Sequence, residues 1–268
     1  MNKEDLVSVI MPTYNAGKYL ADSINSILNQ SYKNLELLIT DDASTDPTTL
    51  QLLQEFASKD NRVDILYLKE NHGAGYARNQ SIERAKGRYI AFCDSDDRWT
   101  TDKLEKQIAF MNKKKCALSC ASYIIFDGET QNEIGFCTAP KKITYGMMKR
   151  DNKVGCLTAI YDVQMLGRKF FMPTIRKRQD WALFLQIIRE CKVCYAYPDK
   201  PLAYYCIRRN SISSNKMSLM KYNIAVYKEI LGFHPIKANL YFFTLFLPTY
   251  GAKILKRKFD SYTFIHQK

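Results

Sequence analysis

The chain has 268 residues, of which 46% are hydrophobic and 13% aromatic, enough for a packed core and too many for a globally disordered protein. This length fits one sizeable domain, or one domain with an appended module. Forty basic residues against 27 acidic ones give a formal net charge of +13, which indicates an anionic partner: nucleic acid, an anionic membrane surface or a phosphorylated substrate.

Strand and helix patterns alternate along the first half of the chain. Short apolar runs rich in β-branched residues predict strands, and longer segments with apolar residues at helical spacing predict helices. In chain order, the predicted elements are a strand over Leu6–Met11 that ends at Pro12, a helix over Ala16–Gln30, a strand over Leu35–Thr40, a helix over Pro47–Ser58 capped by Thr45 or Asp46, a strand over Val63–Leu68, a helix over Ala74–Lys86 and a strand over Tyr89–Cys93. This alternation predicts an α/β fold with a mostly parallel sheet flanked by helices.

The second half of the chain has a looser pattern. The predicted elements there are a strand over Ala117–Phe126, an amphipathic helix over Gln179–Glu190, and strands over Val193–Tyr197 and Leu202–Arg208. We expect these elements to form a smaller, more irregular half of the same domain.

The last fifty residues differ in composition from the rest. Residues 216–268 carry nine Lys and Arg residues against two acidic ones, and a densely aromatic run at Leu240–Leu247 precedes a basic one. We therefore divide the chain into a domain over residues 1–215, with halves at 1–115 and 116–215, and a basic, aromatic helical segment over 216–268. The aromatic run is too short to span a bilayer.

Eight cysteines are scattered through apolar stretches, and no secretory signal precedes the first strand-like segment. We therefore expect reduced, buried thiols in a cytoplasmic protein. Cys191 and Cys194 have the spacing of half a zinc site, but no matching pair stands nearby, so we favour the buried-thiol interpretation.

Ligands of parallel α/β sheets gather at the carboxyl ends of the strands, near the point where strand order reverses. The loops that follow the predicted strands are therefore the candidate site. They are Pro12–Asn15, Asp41–Ser44, Asn71–Gly75 and Asp94–Asp97.

The loop Asp94–Asp97 places three carboxylates within four residues. Crowded carboxylates repel one another, and a divalent cation such as Mg²⁺ or Mn²⁺ relieves that repulsion while bridging to substrate phosphates. The competing interpretation is a solvated acidic turn in which Asp97 or Asp102 caps the next helix.

Asp42 also permits two interpretations. Its carboxylate can accept the N–H of a uracil-like base or bind ribose hydroxyls, and Tyr14 in the preceding loop could stack on the base. Alternatively, Asp42, Ser44 and Asp46 form an Asx-type turn that caps the helix beginning at Pro47.

Gly73 and Gly75 begin like a dinucleotide-binding fingerprint, but Arg78 occupies the place of the third glycine. A Rossmann dehydrogenase is therefore disfavoured. The glycines are better explained by close backbone approach to a nucleotide, with Arg78 near a phosphate or near the acidic loop.

Several segments together resemble family-2 glycosyltransferases. They are Val7–Asn15, Ser26–Gln30, Thr40–Asp46, Asn71–Asn79, Ala85–Trp99 and Gln179–Leu183. The resemblance covers roughly residues 5–215. It implies a GT-A fold, with a nucleotide-binding half and an acceptor-binding half, and inversion at the donor's anomeric carbon.

The resemblance also implies roles for individual residues. Tyr14 would stack on the base and Asp42 would hydrogen-bond it, while Asp180 would deprotonate the acceptor hydroxyl. The implied nucleotide-binding residues are Pro12, Tyr14, Asn15, Asp42, Arg78, Asp94 and Ser95, and the implied ligands of Mn²⁺ or Mg²⁺ are Asp96 and Asp94. A competing interpretation of Asp180 is a helix N-cap.

Two departures from the family pattern stand near the proposed site. Gln179 replaces the Glu that often precedes the base, and Cys206 and Arg208 replace the usual Arg and His in the segment Tyr205–Ser213. Arg208 could still bind diphosphate, or it could form a structural salt bridge.

The basic C-terminal segment could bind a membrane, pack on the domain or bind nucleic acid. Its aromatic residues and its cations are separated along the chain, which favours a peripheral contact with the cytoplasmic face of a membrane over nucleic acid. We thus predict a metal-assisted hexosyl- or N-acetylhexosaminyl-transferase that uses a UDP-sugar and a saccharide or lipid-linked acceptor in polysaccharide biosynthesis. The alternatives are a sugar-phosphate nucleotidyltransferase and a non-catalytic membrane- or nucleic-acid-binding module.

Overall fold

A computed structural model of the chain describes residues 5–208 and 216–266. Residues 209–213 of the segment compared with the family, and the predicted boundary at residue 215, lie outside the described residues. The strands are β1 (Val7–Thr13), β2 (Leu35–Asp41), β3 (Val63–Tyr67), β4 (Tyr89–Phe92), β5 (Arg98–Trp99), β6 (Leu118–Ala121), β7 (Tyr123–Asp127), β8 (Glu133–Cys137), β9 (Lys142–Thr144), β10 (Ile160–Asp162), β11 (Val193–Tyr197) and β12 (Ala203–Ile207).

The helices alternate with these strands in the first half and dominate the C-terminal segment. They are α1 (Tyr19–Leu28), α2 (Pro47–Lys59), α3 (Ala74–Arg84), α4 (Lys103–Lys114), α5 (Tyr145–Arg150), α6 (Val163–Leu166), α7 (Gln179–Cys191), α8 (Lys216–Ala225), α9 (Pro235–Tyr241) and α10 (Leu247–His266). A 3₁₀ turn lies at Cys156–Thr158, and π-helical turns at Val226–Ile230 and Phe242–Phe246 follow α8 and α9.

The strands form two sheets. The large sheet has the order β3-β2-β1-β4-β10-β6-β11-β9, in which β3, β2, β1 and β4 are parallel and β10 runs antiparallel to both its neighbours. A smaller sheet of order β5-β12-β7-β8 is formed by the second half, with β5 contributed by the first. The predicted α/β fold with a mostly parallel sheet, a smaller second half and a helical C-terminal segment is confirmed.

β1 continues through Pro12 to Thr13 instead of ending at Pro12 as predicted. The reason is its unequal pairing with its two neighbours. β4 pairs with β1 only as far as Ile10, whereas β2 pairs along the whole strand, with Pro12 opposite Thr40. Because the β4 side of the ladder has already ended, the missing N–H of Pro12 is tolerated.

The start of α2 agrees with the prediction. Asp46 is the N-cap, and its carboxylate accepts the N–H of Thr49 at 2.9 Å and the Thr49 hydroxyl at 2.6 Å. These hydrogen bonds lower the pKa of Asp46. Pro47 stands in the first turn, where no intrahelical N–H is needed.

The single strand predicted over Ala117–Phe126 is wrong, because the chain forms two strands there that belong to different sheets. The break falls at Ser122. Its hydroxyl accepts the N–H of Ala139 at 3.0 Å, and its carbonyl accepts the N–H of Leu202 at 3.1 Å. These long-range partners redirect a run whose apolar pattern is continuous.

The aromatic side chains of the C-terminal segment pack on the second half of the domain. Phe246 lies 5.6 Å from Trp181 between ring centroids, and Phe242 and Phe246 are both buried. These two residues of the aromatic run therefore pack on the domain, as in the second of the three interpretations above, and do not face lipid. Within the described ranges, no helix is both long enough and apolar enough to cross a membrane.

Candidate active site

The loops after β1, β2 and β4 lie at one edge of the large sheet. Thr13 at the end of β1 is in register with Asp41 at the end of β2, and the N–H of Asp42 donates to the carbonyl of Thr13 at 2.9 Å. On the other side of β1, the N–H of Cys93 donates to the carbonyl of Ile10 at 3.1 Å. Because strand order reverses between β1 and β4, this edge is where a ligand of an α/β sheet is expected.

Asp41 and Asp42 have different structural roles. The carboxylate of Asp41 accepts the N–H and the hydroxyl of Ser44 at 3.0 and 2.5 Å and so forms the Asx-type turn. The carboxylate of buried Asp42 accepts the N–H groups of His72 and Gly73 at 2.8 and 2.7 Å. The interpretation of Asp42 as a capping residue is therefore wrong, and it instead fixes the loop that leads into α3.

The loop after β1 presents one exposed aromatic side chain. Tyr14 is 50% exposed, whereas Pro12 is buried in the strand. The side-chain oxygen of Asn15 accepts the N–H groups of Thr45 and Asp46 at 2.9 and 3.0 Å, so it links this loop to the one after β2. Tyr14 and Asn15 are thus exposed at this edge, while the side-chain oxygen of Asn15 is already occupied by the two N–H groups.

Arg78 connects α3 to the acidic loop. Its Nη2 donates to Oδ1 of Asp94 at 2.5 Å, and the arginine side chain is buried. Burial opposes the charged form, but the nearby carboxylates of Asp94 and Asp180 outweigh it and the pKa of Arg78 is raised. The Nε of Arg78 is buried without a hydrogen-bond partner among the described residues, so a ligand that accepts several hydrogen bonds, such as a phosphate, is suited to this position.

Asp96 is paired with an arginine from the second half of the chain. Its Oδ2 lies 2.6 Å from Nη2 of Arg208, and the carboxylate is largely buried. Burial raises the pKa of Asp96, with Arg208 acting in the opposite direction and Asp94 adding to the rise. Ser95 between the two acidic residues is also buried.

Asp97 is a structural member of the acidic loop. It is buried, and its Oδ1 accepts the N–H of Cys206 at 2.9 Å. Burial, together with Asp96 and Asp94, raises its pKa well above the usual value. Asp102 stands at the N-cap position of α4 without a capping hydrogen bond, and its carboxylate pairs with Lys106 and Lys200. The interpretation of this loop as a solvated turn that caps α4 is therefore wrong.

Asp180 is the second residue of α7. The N-cap is Arg178, whose backbone is left-handed with φ 70°, so the N-cap interpretation of Asp180 is wrong. Its Oδ2 accepts a hydrogen bond from Nδ2 of Asn152 at 2.9 Å. Asp180 is also near enough to Arg78 to contribute, with Asp94, to the raised pKa of that arginine.

Gln179 joins the two halves of the domain. A Cβ added at Gly75 on α3 would lie 2.5 Å from Nε2 of Gln179, so the glutamine amide rests directly on that glycine. Gly73, two residues earlier at the N-cap of α3, has φ 90°, a conformation that glycine adopts readily. The two glycines therefore serve the approach of α7 and the start of α3.

The acidic loop fits a divalent metal that is shared with a substrate. No group of three or more His, Cys, Asp or Glu side chains in residues 5–208 and 216–266 is arranged to hold a metal. Asp94 and Asp96 nevertheless supply hard carboxylate oxygens, and Mg²⁺ and Mn²⁺ are commonly held by one or two carboxylates together with substrate phosphates. The residues present therefore fit a cation whose coordination a diphosphate completes.

The structure adds residues that the sequence patterns did not identify. Asn152 contacts Asp180, and Cys156 interacts electrostatically with Arg78, Asp94 and Asp180. Burial raises the pKa of Cys156 well above the usual value. No local motif marks Asn152 or Cys156, because both reach the site through the fold of an irregular segment.

A mostly parallel α/β sheet flanked by helices, with acidic loops at its switch point and a smaller second sheet, is the architecture expected of a GT-A fold. The sequence model of Glycosyl transferase family 2 matches residues 8–171, more than half of the chain. The chain belongs to this family and is a glycosyltransferase, which confirms the resemblance found in its motifs.

Similar proteins cover most of the chain. TuaG of Bacillus subtilis (strain 168), named for teichuronic acid biosynthesis, is 42% identical over 238 residues, which cover 89% of this chain and 93% of TuaG. WfgD of Escherichia coli, named as a UDP-Glc:alpha-D-GlcNAc-diphosphoundecaprenol beta-1,3-glucosyltransferase, is 38% identical over 216 residues, which cover 81% of this chain and 83% of WfgD.

Solved structures share the fold at lower identity. S. aureus TarS 1-349 in complex with UDP-GlcNAc aligns with a TM-score of 0.66 and 22% identity over 88% of this chain and 70% of that chain. The mannosyltransferase PcManGT from Pyrobaculum calidifontis, in complex with GDP-Man and Mn2+, aligns with a TM-score of 0.63 and 17% identity over 95% of this chain and 75% of that chain. Both likenesses concern the GT-A fold.

Proposed function

We propose that this glycosyltransferase moves a hexosyl or N-acetylhexosaminyl group, with inversion, from a UDP-sugar to a hydroxyl of a saccharide or lipid-linked saccharide. The observation that carries the proposal is the ion pair between buried Arg78 and Asp94 at the carboxyl ends of the parallel strands, with Asp180 on α7 near enough to contribute to the raised pKa of that arginine. The acidic loop would bind the diphosphate, and Asp180 would act as the base. The name of WfgD, with its UDP-Glc donor and diphosphoundecaprenol-linked acceptor, supports the choice of substrates.

The donor nucleotide would occupy the edge formed by the loops after β1 and β2. Tyr14 is exposed there and can stack on the base. The carboxylate of Asp42 accepts the N–H of Gly73 in the loop before α3. Pro12 and Asn15 shape the same edge, and Arg78, Asp94 and Ser95 would contact the diphosphate side. The complex of TarS with UDP-GlcNAc supports a uridine nucleotide on this fold.

Asp96, assisted by Asp94, would hold Mn²⁺ or Mg²⁺ together with the diphosphate. When bound, the cation neutralises the charge that develops on the departing diphosphate. The guanidinium of Arg78 beside Asp94 contributes a fixed positive charge to the same task. The Mn2+ in the PcManGT complex supports use of a metal on this fold.

Asp180 would take the proton of the acceptor hydroxyl. In a single displacement, the base must stand across the acceptor from the donor's leaving group, within hydrogen-bond reach of the attacking oxygen. Asp180 stands at the start of α7, in the half that follows the nucleotide-binding loops, and Asn152 fixes one of its oxygens. These contacts favour a base in a defined orientation.

The C-terminal segment would bring the site to a membrane that carries the acceptor. Six apolar side chains on α9, α10 and the turn between them are at least 55% exposed, and most are three or four residues apart. They are Ile236, Leu240, Phe243, Leu255, Phe259 and Tyr262, and we call them the apolar stripe. The exposed cations Lys256, Arg257 and Lys258 lie beside it, a composition that suits an anionic lipid surface.

The decisive experiment combines a donor screen with a substitution of the base. We expect UDP-sugars, more than GDP- or CMP-sugars, to raise the melting temperature, and Mn²⁺ to enhance that effect. Asp180→Asn should keep this donor-dependent stabilisation and lose about 10²–10⁴-fold in kcat. An active Asp180→Asn enzyme would refute the assignment of the base, and stabilisation by GDP-sugars alone would refute the UDP-sugar assignment.

A further inference from the structure

We propose that Asn152 is a positioning residue for the base and that Lys253 on α10 holds Asn152 in place. The inference rests on the proposed role of Asp180. It connects the C-terminal helix to the base through two successive contacts, Lys253 to Asn152 and Asn152 to Asp180, although residue 253 lies 101 positions from residue 152 in the sequence.

The side-chain amide of Asn152 is fixed at both ends. Its Oδ1 accepts the backbone N–H of Val154 at 3.1 Å, and its Nδ2 donates to Oδ2 of Asp180 at 2.9 Å. Because the oxygen must face the Val154 donor, the NH₂ group must face the carboxylate. The local turn therefore determines the orientation of the amide that meets the base.

Lys253 fixes the backbone of the same turn. Its Nζ donates to the carbonyl of Asn152 at 2.6 Å and lies 3.1 Å from Oδ2 of Asp151. Asp151 is buried and also pairs with Lys153 at 3.1 Å. A buried carboxylate is stable only with such partners, so the turn is bound firmly to α10.

A second contact joins this turn region to the C-terminal segment. The hydroxyl of Tyr227 donates to the carbonyl of Lys149 at 2.9 Å, and the indole N–H of Trp181 donates to the carbonyl of Met148 at 2.7 Å. The end of α5, the start of α7 and the C-terminal segment are therefore connected around Asp180. Displacing Lys253 would remove the contacts of α10 with Asn152 and Asp151. The hydrogen bonds of Tyr227 and Trp181 to the end of α5 would remain.

The catalytic consequence follows from the geometry of a carboxylate. A hydrogen bond to Oδ2 fixes the side-chain torsions of Asp180 and so determines where Oδ1 points toward the acceptor hydroxyl. Small errors in that direction reduce the rate strongly, by up to about 10²-fold for a displacement of 1 Å.

Asn152→Asp separates positioning from a structural role. An aspartate keeps an oxygen for the N–H of Val154 but replaces the donor to Asp180 with a second carboxylate. We expect an unchanged donor KM and a kcat reduced by about 10–100-fold, with a lower melting temperature at neutral pH because the two neighbouring carboxylates repel each other. Asn152→Ala should reduce kcat in the same range and destabilise the turn as well, and Asn239→Asp on the exposed surface of α9 serves as the matched control.

The pH profile gives an independent readout. Arg78 and Cys156 interact with Asp180 from α3 and the 3₁₀ turn, while Asp151, Lys153 and Lys253 surround Asn152. These groups are unchanged in Asn152→Asp. Since the new carboxylate disfavours ionisation of its neighbour, the acidic limb of kcat should move to higher pH.

Lys253→Met removes the hydrogen bond from Nζ to the carbonyl of Asn152 and keeps the aliphatic part of the side chain. We expect a smaller loss of kcat than in Asn152→Ala, and a double variant no slower than Asn152→Ala alone, because both residues act through one contact to the base. Lys228→Met, which removes an exposed lysine of the same C-terminal segment, should leave kcat unchanged.

Wild-type kcat and pH profile in Asn152→Asp, with Asp180→Asn inactive, would overturn this inference and leave the proposed function intact. Activity in Asp180→Asn would instead remove the base on which the inference rests. If the Asn152 variants fail to fold, Lys253→Met decides, and an unchanged kcat in that variant would overturn the inference.

Discussion

Arg208 and Asp96 form an ion pair at the edge of the candidate donor site, with 2.6 Å between Nη2 and Oδ2. Asp94, two residues earlier, is paired with Arg78 in the same way. Each acidic residue proposed to hold a metal thus has an arginine partner from another part of the chain. The guanidinium groups offset part of the repulsion between these crowded carboxylates, and a cation must share Asp96 with Arg208.

Arg208→Met should make Asp96 more available to a metal. In the free enzyme Arg208 and a divalent cation compete for the same carboxylate, so the variant should show a larger rise in melting temperature with Mn²⁺ than the wild type does. Its melting temperature without metal should fall, because a largely buried carboxylate loses its partner, at a cost of about 1–3 kcal/mol.

The matched control for Arg208→Met is Arg98→Met. Arg98 lies near the same loop but pairs with Asp22 at 3.5 Å and contacts Phe126, not Asp96. Its Mn²⁺ response should equal that of the wild type. Identical Mn²⁺ responses in all three proteins would contradict the competition between Arg208 and the metal.

Lys103 gives the protein a defined pH dependence of stability. The side chain is buried on α4, and its Nζ has no hydrogen-bond partner within the described ranges. Burial lowers its pKa from 10.5 to about 7. Between these values the unfolded chain binds a proton that the folded chain has released, so this lysine makes the free energy of unfolding rise with pH across that window.

Lys103→Met should abolish this contribution. We expect the variant to be more stable than the wild type at pH 6, by on the order of 2 kcal/mol after loss of the cation–π contact between Nζ and Trp99. The difference should shrink as pH rises toward 10. Urea denaturation at several pH values measures it, and exposed Lys113→Met on the same helix is the control. A constant difference between variant and wild type would show that burial does not lower the pKa of Lys103.

Gly75→Ala should impair catalysis more than folding. The new Cβ would meet the amide of Gln179, the far end of a flexible side chain, which can move aside at small cost. Gln179 precedes the proposed base, so we expect kcat to fall several-fold with little change in melting temperature. Gly146→Ala on α5, where the nearest atom would be 3.8 Å away, should gain up to about 1 kcal/mol in stability and keep kcat. An unchanged kcat in Gly75→Ala would show that this contact does not orient α7.

The apolar stripe should govern binding to anionic vesicles. Leu255→Glu with Phe259→Glu removes two exposed apolar side chains, and we expect vesicle affinity to fall about 100-fold, since each is worth about 1.5 kcal/mol or more when buried in lipid. Co-sedimentation with vesicles of neutral and anionic lipid measures the change, and high salt should weaken wild-type binding. Met165→Glu, at an exposed apolar residue away from this segment, is the control. Equal binding by the double variant would contradict a membrane role for the stripe.

The alternation of elements in the first hundred residues was predictable from the sequence. Apolar runs such as Leu35–Asp41 are buried on both faces, and helices such as Pro47–Lys59 begin with a capping residue, so both signals are local. The acidic loop after β4 was predictable for the same reason, because its position depends only on where the strand ends. The family motifs then specified the reaction class.

Only the tertiary structure determined the separate structural roles of the acidic residues after β2. Asp41, Asp42 and Asp46 are near-identical candidates in the sequence, but the turn, the loop at Gly73 and the helix cap assign them separate partners. The division of Ala117–Phe126 between two sheets was equally hidden, since it depends on partners about 20 and 80 residues away.

The sequence by itself determined that this chain is a glycosyltransferase with acidic loops at the edge of an α/β sheet. Strands, helix caps and family motifs each depend on residues that are close together in the sequence, so they can be recognised without the fold. The tertiary structure decided that Arg208 pairs with Asp96, and that Asn152 and Lys253 stand behind Asp180. Those contacts join residues separated by 28 to 112 positions, and no local pattern encodes them. They exist only because packing of the irregular half and the C-terminal helix brings the side chains together.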